Sequence, residues 1–136
     1  REEVWPRDKP LPKWDLDAAI EHLQNAAHRG SIRRCGEYVH KAIDAGGIRL
    51  NTAYNPTKDS ASGYGPILRH AGFLTVAPGE KLQKGDVVVF QPVKGHPDGH
   101  VAMFDGKQWI SDYKQDSIYA ASAYKNGAPY VVYRRP

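Results

Sequence analysis

A single cysteine, Cys35, stands among the 136 residues, so no intrachain disulfide can form and a zinc site built on paired cysteines is excluded. What remains for a lone thiol is either a place in the core as a small apolar group or nucleophilic chemistry. A cysteine attacks as its thiolate, and an ordinary thiol, with a pKa of about 8.5, is little ionised at neutral pH. Two features are expected to lower that value here: a helix N-terminus at Cys35 and the adjacent pair Arg33-Arg34. A base in reach separates a catalytic cysteine from a core filler, and His100 is the candidate. Asp112 is the candidate third group, holding the imidazole in its useful tautomer.

Elements of a definite kind are needed to position these three. Leu16, Ala19, Ile20, Leu23, Ala26 and Ala27 recur at helical spacing over residues 15–28, with Asp15 as N-cap and Arg29-Gly30 as the stop. Ser31 is expected to cap a second helix running to about Ala45, with Cys35 in its opening turns and Gly46-Gly47 beyond its end. Residues 51–63 read as a loop, and Tyr64–Ala71 as a short helix with Pro66 in its first turn. The period then changes to that of strands: Phe73–Val76, Val87–Gln91, His100–Phe104, Gln108–Asp112 and Tyr130–Tyr133. Helices first and strands second predict an α+β domain, its N-terminal helices packed on an antiparallel sheet.

The turn at Asp105-Gly106 governs whether Asp112 serves His100. A three-residue loop, 105–107, sets His100 opposite Asp112, and it places Ala102, Phe104 and Ile110 on the same face, as an inner surface for the Cys35 helix. A two-residue Asp-Gly turn sets Ser111 opposite His100 and turns Asp112 away. The first register is the preferred expectation. The other histidines have less to offer: His22 and His28 are expected on the first helix outside its apolar stripe, His40 lies more than a turn beyond Cys35, His70 ends the short helix, and His96 sits in a loop that can line a cleft.

The chain is 40% hydrophobic and 25% charged, the balance of a soluble globular domain, and its longest apolar run, 87–90, is of strand length. The net charge is +4, but the basic residues are dispersed, so neither nucleic-acid binding nor membrane insertion is expected, and a monomer is. No HExxH pattern occurs, and neither a metal nor any other cofactor is expected. Residues 1–14, with Pro6, Pro10 and Pro12 among charges, read as an extended arm that Trp5 and Trp14 can pin to a single domain over 15–136. The start at Arg1 reads as a piece of a longer protein or a trimmed product.

Four segments together resemble the NlpC/P60 and CHAP superfamily of papain-like peptidoglycan amidases and endopeptidases: 31–39 around Cys35, 82–90 with Lys-Gly-Asp before the valines, 99–106 opening on Gly-His, and 109–112 ending on Asp. The resemblance implies a papain-like fold with Cys35 as nucleophile, His100 as base and Asp112 as orienting residue. It implies cleavage of an amide bond in the stem peptides of the bacterial wall. The compact size also looks like amidase toxins delivered by type VI secretion systems, which implies secretion or delivery, action in the periplasm or wall of a target cell, and a cognate immunity protein as partner. Arg34, Tyr38, Tyr64, Lys114 and Gln115 are the candidate substrate-binding residues. Two departures stand out. The family's Asn two positions after the acid is here Lys114, with Gln115 as the candidate substitute. No Tyr shortly precedes Cys35, which leaves Tyr38 or Tyr64 for that role, and the oxyanion hole is expected from the Cys35 N–H plus a second donor that the sequence does not identify. The same fold also supports proteases, deamidases and acyltransferases on other substrates, and a non-catalytic wall-binding module is the remaining alternative.

Overall fold

Asp15 opens the first helix as its sequence position predicts. Its carboxylate accepts from the Ala18 N–H at 3.0 Å, satisfying one of the amides a helix start leaves unpaired. The computed structural model describes residues 13–136, so Trp5 and the three prolines of the expected arm lie outside the described residues. Trp14 is described, and its ring meets Phe73 edge-on with centroids 6.0 Å apart.

Helix α1 (Leu16–Ala26) buries Ala19, Ile20 and Leu23. It stops at Ala26 rather than His28, because the His28 N–H is taken by the Asp112 carbonyl at 2.8 Å in a parallel bridge beside Tyr113. Helix α2 (Cys35–Ala45) buries Val39, Ala42 and Ile43, and α3 (Tyr64–His70) follows after two short 3-10 turns. Ser31 does not cap α2: the N-cap is Arg34, and the Ser31 hydroxyl accepts from the Arg33 N–H instead.

The strands β1 (Leu74–Val76), β2 (Val87–Phe90), β3 (His100–Phe104), β4 (Trp109–Ile110) and β5 (Tyr130–Arg134) form one antiparallel sheet in the order β1-β5-β2-β3-β4. Alternation along the strands sorts their side chains into two cores. Val87, Val89, Val101, Met103 and Ile110 pack under the helices, while Val88, Phe90, Ala102, Trp109 and Val132 pack with Tyr124 on the other face. Both faces of β2 are therefore covered, which explains its unbroken apolar run. Each such valine contributes on the order of 1.5–3 kcal/mol by its burial.

Asp86 explains the Lys-Gly-Asp segment that leads into β2. Its fully buried carboxylate accepts from Arg134 Nε at 2.8 Å, from Arg134 Nη2 at 2.9 Å and from the Gln83 N–H at 2.8 Å, tying the turn to β5. Gly85 before it has φ 93°, and a Cβ there would run into Leu16.

The β3–β4 hairpin departs from the expected register. Phe104 lies opposite Trp109 and Met103 opposite Ile110, so the loop is 105–108, one residue longer than expected. Asp105 is the cause. Its carboxylate accepts from the N–H groups of Lys107 at 2.8 Å and Gln108 at 2.7 Å, which draws Gln108 into the turn. A shift of one residue exchanges the faces of the sheet. Ile110 thus joins Met103 beneath α2, while Ala102 packs on the far side. The strand also ends early, where the Ser111 N–H bonds the Tyr113 carbonyl at 3.0 Å and the chain bends back.

Candidate active site

The early end of β4 opens a place for the thiol. Phe104 donates its N–H to the Asp86 carbonyl on the β2 side. Alternation along an antiparallel strand then aims the N–H groups of Val101 and Met103 at the opposite edge. Ile110, the last residue of β4, pairs with Met103, so the edge beside Val101 is free. Cys35, the first residue of α2, fills it, and the backbone N–H groups of Val101, Gly36 and Cys35 itself act to lower its thiol pKa.

These donors do not produce the lowered thiol pKa expected from the helix terminus and the two arginines. Burial pushes the Cys35 thiol up, and the charge of Asp112 acts in the same direction. Arg34, moreover, is spent on a partner, its Nη2 lying 2.6 Å from Glu37 Oε2. His100 is shifted the other way. Burial pushes its pKa down and the neighbouring His96 adds to this, while the hydrogen bond His100 donates to Gln115 and the charge of Asp112 oppose it. The resting pair is therefore a neutral thiol and a neutral imidazole.

Gln115, not Asp112, holds the imidazole. Its Oε1 lies 2.7 Å from His100 Nε2, and its Nε2 donates to the Ser117 carbonyl at 3.0 Å. With the amide nitrogen committed to a carbonyl, the amide oxygen faces the ring and can only accept. His100 must then carry its proton on Nε2, which leaves Nδ1 as the basic nitrogen. The bend after Ile110 delivers this residue, since the Gln115 N–H returns to the Trp109 carbonyl at 2.9 Å.

Asp112, expected opposite His100, is displaced by the longer hairpin loop and faces the approach to α2 instead. Its Oδ2 accepts from the N–H groups of Ile32 at 2.7 Å and Arg34 at 3.0 Å, and Oδ1 accepts from the Ser111 hydroxyl at 3.2 Å. The fully buried carboxylate fixes the segment that presents Cys35, while its charge is felt by both Cys35 and His100.

Of the remaining candidates, Tyr64 packs its ring against Gly36 beside the thiol, with its hydroxyl 3.4 Å from the Gly36 carbonyl oxygen. Tyr38 turns away, its hydroxyl 2.9 Å from His28 Nε2. Lys114 is exposed and takes part through its backbone, bridging to Ile110.

Cys35 and His100 line a depression of about 420 Å³ together with His96, Tyr113 and Tyr124. A second depression, also about 420 Å³, begins at Cys35 and runs past Lys58, Ser60 and Tyr64. Arg33, Cys35 and Asp98 belong to both, so the sulfur stands at the junction of a two-armed cleft. A larger hollow of about 990 Å³ lies over Trp109 and Val132 and includes neither Cys35 nor His100. Tyr113 and Tyr124 come from residues 112–129, where the sequence shows no periodicity to announce a site. Tyr124 packs on Phe90 and His96, and burial holds its phenol protonated, its pKa pushed up to about 12.

No family model and no curated protein matches the sequence. Solved structures do. The native type VI effector-immunity complex Tae3-Tai3 from Ralstonia pickettii contains a chain 39% identical to this one, with a TM-score of 0.80, over 90% of this chain and all of that one. The selenomethionine form of the same complex gives 42% identity and a TM-score of 0.77 over 85% of this chain and 98% of that one. The chain belongs to the Tae3 family of type VI effectors. In this effector, the helix start that carries Cys35 and the strand start that carries His100 meet at one cleft, with Gln115 behind the histidine.

Proposed function

We propose that the effector is an antibacterial peptidoglycan amidase of papain-like, NlpC/P60 type, with Cys35 as nucleophile, His100 as general base and acid, and Gln115 as the residue that positions His100. The observation that carries this reading is the shared cleft of Cys35 and His100, in which the amide of Gln115 leaves His100 Nδ1 unprotonated.

Because both groups are neutral at rest, the thiol is activated as it attacks. The Cys35 proton passes to His100 Nδ1 while sulfur adds to the carbonyl carbon of a stem-peptide amide. The Cys35 N–H, at the helix start, faces the developing oxyanion. The imidazolium keeps its Nε2–H on Gln115 and is favoured by the charge of Asp112. Nδ1 then protonates the leaving amine, the C–N bond breaks, and a thioester remains. Water, deprotonated by Nδ1, releases the acid and restores the thiol.

Membership of the Tae3 family supports delivery through a type VI system into a target cell, with action at its wall. The complexes found for the relatives support a cognate immunity protein as partner. Wild type should convert purified sacculi into muropeptides with one defined bond cut, read by chromatography with mass spectrometry. Cys35→Ala should release none at an unchanged far-UV circular dichroism spectrum; full activity in that variant would remove Cys35 from the chemistry.

A further inference from the structure

Gln115 holds His100 in one tautomer only while its amide keeps one orientation. The two ends of a side-chain amide are nearly alike in shape, so their hydrogen-bond partners choose between them. Were they exchanged, the Gln115 nitrogen would donate to His100 Nε2, and the imidazole proton would move to Nδ1, the atom the base needs free. Two carbonyls oppose the exchange. Those of Ser117 at 3.0 Å and Ile118 at 3.4 Å accept from the Gln115 nitrogen and would repel an oxygen set in its place. The tautomer of the base therefore depends on where residues 117 and 118 stand.

No sheet ladder holds them there. β4 ends at Ile110, and residues 115–121 contain neither helix nor strand. This loop is a partition: Tyr113, Ala120 and Ala121 line the cleft on one side, and Asp116, Ser117 and Ile118 line the larger hollow on the other. Its near end is fixed, since the His28 N–H bonds the Asp112 carbonyl at 2.8 Å and the Ser111 N–H bonds the Tyr113 carbonyl at 3.0 Å. From that backbone the Tyr113 hydroxyl reaches across the loop and donates to the Ala120 carbonyl at 2.6 Å. Burial pushes the Tyr113 pKa up, so the phenol keeps the proton that this bond requires. One side chain thus closes residues 113–120 into a ring that contains Gln115 and both of its carbonyl partners.

We infer that Tyr113 is a positioning residue for the base: by latching the loop to Ala120 it fixes the carbonyls that orient Gln115, and so keeps the His100 proton on Nε2. Without the hydroxyl the rest of the loop keeps its supports. Ile118, Tyr119, Ala120 and Ala121 still pack on the far-face core, and the Ser117 hydroxyl still accepts from the Tyr119 N–H at 3.1 Å. What is lost is the fixed distance between the two ends of the ring, and with it the single orientation of the Gln115 amide. The effect on rate rests on the amidase reading, whereas the tautomer is measured without turnover.

The experiment is nitrogen NMR of protein labelled in its histidines, at a pH above the His100 titration of each variant, where the ring nitrogens of a neutral imidazole report which one carries the proton. Wild type should show His100 protonated on Nε2. Tyr113→Phe removes one oxygen from a half-buried ring and should give a mixture of tautomers at an unchanged far-UV circular dichroism spectrum. Tyr113→Phe/Gln115→Glu should return His100 to the Nε2–H form, because a carboxylate has no nitrogen to present. Tyr119→Phe, which takes a hydroxyl from the same loop and leaves the latch intact, should match wild type. On sacculi Tyr113→Phe should lower kcat about tenfold with KM unchanged, part of what general acid–base catalysis supplies. A folded Tyr113→Phe protein with His100 wholly in the Nε2–H form, or a mixture that Gln115→Glu fails to resolve, overturns the latch. The amidase reading is decided separately, by whether wild type cuts sacculi.

Discussion

The Oε1 of Gln115 and the Nε2 of His100 lie 2.7 Å apart with only one direction of donation open, because the Gln115 nitrogen is already given to the Ser117 carbonyl. An uncharged amide thus performs the task for which an aspartate was the natural expectation. It sets the tautomer without a negative charge, so burial prevails and holds the imidazole pKa below its ordinary value.

The acid limb of the kcat/KM profile follows from this. Protonation of His100 removes the base, and its folded-state pKa is depressed, so activity should persist below the ordinary histidine range and be lost only in more acid solution. The Gln115 bond raises the pKa, so Gln115→Ala should move the limb further down, and Gln115→Glu, bringing a carboxylate, should move it up. Both should lower kcat, by roughly 10–100-fold out of the 10²–10⁴ that general acid–base catalysis supplies. A limb that stays in place in both variants would mean that Gln115 does not touch the base.

The thiol makes a second, opposite statement. With its pKa raised by burial first and Asp112 after, iodoacetamide should alkylate Cys35 slowly at neutral pH and speed up only above the ordinary thiol range. Asp112→Asn removes the charge while keeping an acceptor oxygen for Ile32 or Arg34, so alkylation at pH 7 should become faster. A wild-type thiol that reacts readily below pH 7 would indicate a preformed ion pair and contradict general-base activation.

Much of the site was legible in the sequence because it depends on local signals. Cys35 stands at the head of an apolar stripe of helical period, His100 follows a glycine at the start of a strand, and Asp86 precedes an unbroken β run. That Gln115 rather than Asp112 holds His100 was not legible, since it depends on the length of one hairpin loop. Asp105-Gly106 announces a turn, but the extra residue comes from two N–H groups gathered by the Asp105 carboxylate. That single step moved Asp112 to the Cys35 helix and gave the histidine to Gln115. The raised thiol pKa was not legible for a related reason: it comes first from the burial of Cys35 in the tertiary fold and then from the charge of Asp112, and no spacing along the chain reveals either.

Asp86 offers the cleanest test of what holds the site's scaffold together. Its carboxylate is fully buried and accepts two bonds from Arg134 and one from the Gln83 N–H. Asp86→Ala leaves Arg134, about a quarter exposed, without its main partner, although Glu80 remains 3.1 Å from its Nη1. Removing one member of a buried pair costs about 3–5 kcal/mol, and the remaining contact to Glu80 and the access of Arg134 to water place the expected loss at about 3 kcal/mol. Urea denaturation should show the midpoint falling with the slope unchanged. The double variant Asp86→Asn/Arg134→Met should cost less than the sum of the two single substitutions; a double-mutant cycle with no coupling would show that this pair does not anchor β2 to β5.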